Sequence, residues 1–238
     1  MYVIPTPWFP KPPFQISNYI EAWIKYPFLT YFKNTILVVV AATMGNVMSS
    51  SITAFGFARI RFPGRDFLFV ILISTMMLPY QVKIIPLFQM YKTIGWLNSL
   101  WPLIVPAFFA AASPFFVFLM RQFFLSIPEE LADAARIDGC GFVNIYLRIF
   151  LPLTKPAMVT VALFSFMDNW NDFFMPLIYI NSNQFKTLSL GLAGMTGQYV
   201  SDWHIIMAAS VITVLPCVII FLLAQRHFVE GIALSGIK

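Results

Sequence analysis

The stretch that decides the fold is NTILVVVAATMGNVMSSSITAFGFA, residues 34–58, twenty-five residues without one Asp, Glu, Lys or Arg. About 20 mostly apolar residues are enough to cross the hydrocarbon layer of a bilayer as a helix. Working outward, residues 98–120 and 203–225 are uncharged runs of the same kind. Residues 67–88 form a further span that is apolar as far as Leu78, meets Pro79 and Lys83, and resumes as Ile84-Ile85-Pro86-Leu87-Phe88. There the prolines turn the chain at the interface and Lys83 snorkels. Residues 156–180 make a fifth, with Asp168 and Asp172 in one half. The expected architecture is an all-α membrane protein with five visible transmembrane helices.

Composition agrees. Of the 238 residues, 59% are hydrophobic and only 11% charged, against roughly 25% charged in a soluble domain. An ordinary soluble enzyme is excluded, because its surface could not be covered. Two cysteines, Cys140 and Cys217, make neither a disulfide framework nor a metal site. The formal charge of +5 comes without a basic helix or a lysine-rich tail, so it reads as topological rather than as a nucleic-acid footprint.

All seven arginines fall on one side of such a bundle: Arg59, Arg61 and Arg65, then Arg121, Arg136 and Arg148, then Arg226. The positive-inside rule makes that side cytoplasmic. The expected organisation is an extracytoplasmic segment over 1–33, a transmembrane domain over 34–228 with a cytoplasmic loop at 121–155, and a cytoplasmic tail over 229–238. Residues 1–33 have no basic start followed by an apolar core that would carry them outward. We therefore expect a sixth helix upstream of this sequence.

The loop carries the most pattern. Residues 121–142 read RQFFLSIPEELADAARIDGCGF. Ser126 with Glu129 has capping-box spacing, and Pro128 suits a first turn. Leu131, Ala134, Ala135 and Ile137 supply an apolar stripe, and Gly139 stands where a left-handed cap wants glycine. A second helical piece is expected over 142–150. A helix this short is marginal alone, and Glu129, Glu130, Asp133 and Asp138 face a single arginine within it. Lipid-lying helices are rich in Lys and Arg, so the pattern predicts a protein dock.

The string Glu130-Leu131-Ala132-Asp133-Ala134-Ala135-Arg136-Ile137-Asp138-Gly139, followed by Ile149 and Leu151-Pro152, resembles the EAA loop of ATP-binding-cassette importer permeases, in the version of the carbohydrate-uptake branch. Leu78-Pro79, Ile85-Pro86-Leu87, Trp170-Asn171-Asp172-Phe173 and Gln225-Arg226 before Gly231 agree in order. The resemblance extends from about Asn18 to the end of the chain. Three departures stand out: Asp133 replaces the usual Glu, Cys140 replaces a small alanine, and five spans are visible where the branch has six.

The resemblance implies the type I importer permease fold, with 129–139 as a coupling helix. It implies a sugar or oligosaccharide as solute, a second permease subunit, two ATPase subunits and an external solute-binding protein. Glu129, Glu130, Asp133, Ala134, Ala135, Asp138 and Gly139 would couple to the ATPase. The chain has no G-x-x-x-x-G-K-[ST] loop, so ATP and Mg would be held by the partner, with no cofactor here.

Asp168 and Asp172 lie one helical turn apart with Asn169, Trp170 and Asn171 between them. Ionisable groups within a span are candidates for function, and these five residues are the possible substrate pathway. Two readings stand: contact with solute, or capping of a helix break. The same acids carry the alternative of a proton-coupled secondary transporter. A hydrolase is disfavoured, because His204 and His227 fall at opposite faces. Gly45, Gly56 and residues 49–51 suggest close helix approach, as at a contact with a second permease. Residues 191–197, with Gly191, Gly194 and Gly197, read as a mobile outer connector.

Overall fold

A computed structural model describes residues 15–109, 113–196 and 202–235, with the side chains of the last helix described as far as Leu223. The expectations on residues 1–14, Gly197, Arg226, His227 and the final tail residues lie outside what it describes. Described residues are helical or connecting, with no strand among them.

Helix α1, Ser17–Lys25, leads into α2, Phe28–Arg59, which at 32 residues starts six residues before the uncharged run. The chain leaves α2 at Ile60 in extended conformation and turns through Phe62-Pro63-Gly64, where Gly64 takes φ 79°. Then come α3, Arg65–Ser74, a 3-10 turn Thr75–Met77, and α4, Tyr80–Thr93. The two arms meet at 99° around Leu78-Pro79. The second expected span is thus one sharply bent pair, because Pro79 cannot continue the helical ladder.

Residues 98–120 are not one helix. Pro102, Pro106 and Pro114 divide them into α5, Trp101–Ile104, a 3-10 turn Val105–Phe108, and α6, Pro114–Ser126. The loop holds α7, Glu130–Ile137, α8, Phe142–Ile145, a π-turn Tyr146–Phe150 and α9, Leu151–Leu153. Next come α10, Lys155–Asn171, α11, Phe174–Tyr179, α12, Leu188–Ala193, and α13, Trp203–Ser235. By length and apolarity, two described helices can cross a membrane, or up to four if each bent pair is one span.

The polarity of the bundle is inverted relative to a soluble protein. On α2, Ile36, Val40, Met44, Met48 and Ile52 recur every fourth residue and are all exposed, while Thr35, Asn46, Ser50 and Ser51 are buried. α13 repeats this with Val211, Leu215, Ile219 and Leu222 outside and Ala208 and Ala209 inside. Small and polar residues between helices with apolar ones outward is the arrangement lipid selects.

α2 is the central element, packed on α6 and α10, with α13 on the other side of α10. Its small residues serve this packing. A β-carbon on Gly45 would come within 2.8 Å of the Phe108 ring, so the close approach expected with a second permease is made here within the chain. Gly56 has nothing within 4 Å of that position. At one end of the bundle Phe55, Met120, Phe124, Ile145 and Phe150 form a core; at the other Phe28, Tyr31, Trp170, Leu188 and Ile205 form a second. Lys25 pairs there with Asp202, joining α1 to the start of α13; this contact holds the ammonium above and the carboxyl below their ordinary pKa.

The expected outer connector begins on that second core: Gly191 and Met195 are buried, whereas Ala193, Gly194 and Thr196 are exposed. Leu188, Leu190 and Gly191 are buried in α12, which packs on α2, and Leu188 lies in one apolar cluster with Tyr31. A β-carbon at Gly191 would lie 2.1 Å from the Tyr31 ring. Gly191→Ala is expected to cost about 1–3 kcal/mol by overpacking, seen as a lower unfolding temperature of the purified protein. Asn98 fastens the same end: at φ 55°, a left-handed value Asn tolerates, its side-chain oxygen accepts from the N–H groups of Asn181 and Ser182.

Candidate functional site

α7 is built on the C-terminal ends of α2 and α6. Ser126 is not its cap: it is the last residue of α6, its hydroxyl donates to the Phe123 carbonyl at 2.8 Å, and Ile127 is extended before Pro128. The capping-box spacing was met by two residues that Pro128 keeps in separate helices. The Glu129 carbonyl accepts the first helical bonds, from Ala132 at 2.9 Å and Asp133 at 3.0 Å.

At its other end the glycine expectation is met. Gly139 sits at φ 81°. The Cys140 N–H reaches the Ala135 carbonyl at 2.9 Å and the Gly139 N–H the Arg136 carbonyl at 3.0 Å. This pair of bonds is a Schellman cap.

The expected stripe of Leu131, Ala134, Ala135 and Ile137 divides between two faces. Ala132 and Ala135 are buried against Phe124, Ile145 and Phe150, and only residues this small let α7 lie so close. Leu131, Ala134 and Ile137 point away, with Ile137 87% exposed, and the apolar surface continues through Phe142, Val143 and Leu147. Around it Glu129, Glu130, Asp133 and Asp138 are exposed. Asp133 pairs with Arg136 at 2.6 Å and Glu129 with Arg61 at 3.7 Å; such exposed pairs contribute about 0–1 kcal/mol. The loop therefore presents an apolar ridge inside an acidic rim.

What holds the ridge in place was not read from the sequence. The Arg59 guanidinium, at the end of α2, donates to the carbonyls of Phe124 and Ile127 and lies 4.8 Å from the Phe150 ring centre. It ties the ends of α2 and α6 to the π-turn. In the sequence it counted only as a topological charge; its place as the last residue of a span, beside helix ends needing donors, was the available signal. The Tyr146 hydroxyl is bonded to Ser51 at 2.9 Å.

The five residues of the expected pathway are dispersed. Trp170 is 3% exposed, its indole N–H donating to the Thr213 carbonyl at 3.0 Å and its ring stacked on Phe166. It locks α10 to α13 and offers no face to a solute in this conformation. Asn169 and Asn171 donate to the carbonyls of Ser165 and Met167, one turn back. Asp172 accepts from the Met175 N–H at 3.1 Å, which starts α11 after the break. Asp168 is exposed, and its carboxylate has no such hydrogen bond among the described residues. Beneath it runs a second feature that sequence reasoning missed: Asn46 donates to Ser165 at 2.9 Å and accepts from Ser113 at 3.0 Å, joining α2, α10 and the start of α6.

Two long helices, α2 and α13, with apolar residues turned outward, two sharply bent helix pairs and a capped loop helix make up the fold. The crystal structure of a bacterial ABC transporter that imports the acidic polysaccharide alginate superposes with a TM-score of 0.81 at 24% identity, over 90% of this chain and 80% of that one. The MetNI methionine ABC transporter follows with a TM-score of 0.64 at 15% identity. Residues 45–233 match the binding-protein-dependent transport system inner membrane component family, and the chain belongs to it.

Among its relatives is a probable ABC transporter permease protein, YurM, of Bacillus subtilis (strain 168), 34% identical over 235 residues, 99% of this chain and 76% of that protein. The arabinooligosaccharides transport system permease protein AraQ of Halalkalibacterium halodurans is 35% identical over 88% of this chain and 74% of its own length. The sn-glycerol-3-phosphate transport system permease protein UgpE of Salmonella typhi is 35% identical over 87% and 73%. This chain is accordingly a permease subunit of an ATP-driven importer, a transport subunit rather than an enzyme, and the ATPase is a separate partner.

Proposed function

We propose that this permease passes a sugar or oligosaccharide, delivered by an extracytoplasmic binding protein, through a path shared with a second permease subunit. The ridge of Leu131, Ala134 and Ile137 seats in a cleft of an ATPase subunit, with two such subunits per importer. The observation that supports this most is the loop itself, a capped helix fixed by Arg59 that leaves Ile137 87% exposed. In water such a face is stable only when covered. ATP and Mg are bound by the partner. The visible N-terminus lies outside and the C-terminus in the cytoplasm, a reading supported by the placement of the arginines.

The mechanism follows from this mechanical linkage. Closure of the two ATPase subunits on ATP moves α7, and Arg59 passes that motion to the ends of α2 and α6, turning the spans from inward-facing to outward-facing. Glu129, Glu130, Asp133 and Asp138 set the charge that the ATPase cleft must complement. The experiment is uptake of a radiolabelled oligosaccharide mixture into cells with the solute-binding protein present. Uptake should stop when ATP is depleted and continue when a protonophore is added with ATP intact. Loss with the protonophore alone would instead favour a proton relay through Asp168 and Asp172.

A further inference from the structure

Two helix breaks and one continuous helix meet at one place: the bend at Leu78-Pro79, the start of α6 at Ser113-Pro114, and α10 at Asp168, one turn before its end. Non-helical backbone at membrane depth is tolerated where it is buried in protein or lines a water-filled cavity. Here it lines a cavity of about 330 Å³, at the small end of the range for ligand sites. Its wall includes Thr75, Tyr80, Lys83, Ser113, Phe115 and Asp168. Among the described residues, neither Lys83 nor Asp168 has an ion-pair partner. Lys83 lies 5.9 Å from the Tyr80 ring centre, and Asp168 is exposed. An exposed carboxylate in a span is costly against lipid.

Resting on the permease reading above, we propose that this cavity is a segment of the solute path of this chain, and that it selects uncharged polyhydroxylated solutes over phosphorylated or carboxylated ones. Asp168 accepts hydrogen bonds from solute hydroxyls, Lys83 donates them, and the hydroxyl oxygens of Thr75 and Ser113, whose protons go to the Leu72 carbonyl and to Asn46, accept them. Phe115 and the Tyr80 ring give apolar faces for a sugar ring. The wall carries one cation and one anion, so its charge cancels. A phosphate or carboxylate would gain from Lys83 and lose to Asp168, whereas anion sites carry an excess of donors and positive charge. The Asn46–Ser165–Ser113 bonds fix the rim by anchoring Ser113 to α2 and α10.

The test uses the complete importer in proteoliposomes, with its ATPase and binding protein. In a background with Cys140 and Cys217 replaced by Ser, Asp168→Cys should react with a water-soluble thiosulfonate about tenfold faster than Met48→Cys on the outer stripe of α2. Asp168→Asn, with both cysteines kept, should lower ATP-driven uptake of a neutral di- and trisaccharide mixture about tenfold. The amount of assembled importer recovered with Asp168→Asn should match the parent, a readout that a misfolded bundle would not preserve. An unreactive Asp168→Cys, or unchanged uptake by Asp168→Asn, overturns the path assignment. Wild-type uptake of sn-glycerol 3-phosphate exceeding that of every neutral saccharide overturns the charge selection and leaves the path standing. ATP-driven uptake of no solute at all would be a failure of the permease reading instead.

Discussion

Gly139→Val is expected to reduce ATP-driven uptake at least about tenfold while the protein still inserts and accumulates in the membrane. The reasoning is local. Gly139 sits at φ 81°, where a side chain costs roughly 1–2 kcal/mol and a β-branched one more. No atom lies within 4 Å of where its β-carbon would be, so the damage cannot come through packing. It comes through the cap: the bonds from Cys140 to Ala135 and from Gly139 to Arg136 require the left-handed turn. Without it, Ile137 and the following Phe142 and Val143 no longer share one ridge. The substitutions should therefore be graded, Gly139→Asn mildest because Asn accepts this conformation, Gly139→Ala intermediate and Gly139→Val worst. Uptake measured against membrane abundance checks the order, and a flat series would remove the cap from the mechanism.

Arg59→Met should show the largest loss of stability. Arg59 gives hydrogen bonds to two carbonyls, of Phe124 and Ile127, at the point where three helical segments converge. Methionine has similar reach but no donor, so both acceptors are left half-satisfied at a packed end of the bundle. Charged hydrogen bonds contribute about 1.5–3 kcal/mol each, and the contact with Phe150 adds roughly 0.5–2 kcal/mol. A total near 3 kcal/mol or above is expected after partial rescue by water, with a clearly lowered unfolding temperature in detergent. Arg59→Lys keeps the charge but not the fork and should fall between. An unfolding temperature for Arg59→Met equal to that of the parent would show that the carbonyls find other donors.

The helical class and the loop helix were legible because each rests on short-range chemistry. Twenty-five uncharged residues can only be a buried or lipid-facing segment, and a glycine after an Ala-rich helix can be recognised one turn away. What could not be read depends on which segments meet. Nothing local to Trp170 says that its indole will reach Thr213, 43 residues on, so it looked like a sugar platform and is a structural lock. Ala135 was assigned to the same stripe as Leu131 and Ile137, yet the direction of α7 is set by Phe124 and Phe150, which lie on the helical segments before and after it. Ser126 and Glu129 had the right spacing and types; the competing rule, that Pro128 disfavours helix at the residue before it, prevailed. Pro102, Pro106 and Pro114 were visible throughout, and their effect on residues 98–120 follows from the lost N–H groups alone.

Asp168 and Asp172 separate in the same way. The sequence put them on one face as a pair, whereas the break after Asn171 turns Asp172 to the backbone of α11 and leaves Asp168 facing the cavity. Two identical side chains one turn apart thus meet different surroundings, and Asp172 takes the capping role that the sequence offered as one alternative.

The measurement closest to the central claim, that the ridge on α7 docks a separate ATPase, is gentle-detergent purification from native membranes with intact-mass spectrometry of everything recovered. The expected result is a complex containing a P-loop ATPase and a second permease, with the ATPase lost when Ile137→Asp is placed on the ridge and the permease pair retained. Recovery of this chain without an ATPase under every mild condition, or an ATPase bound equally well to Ile137→Asp, would contradict the account.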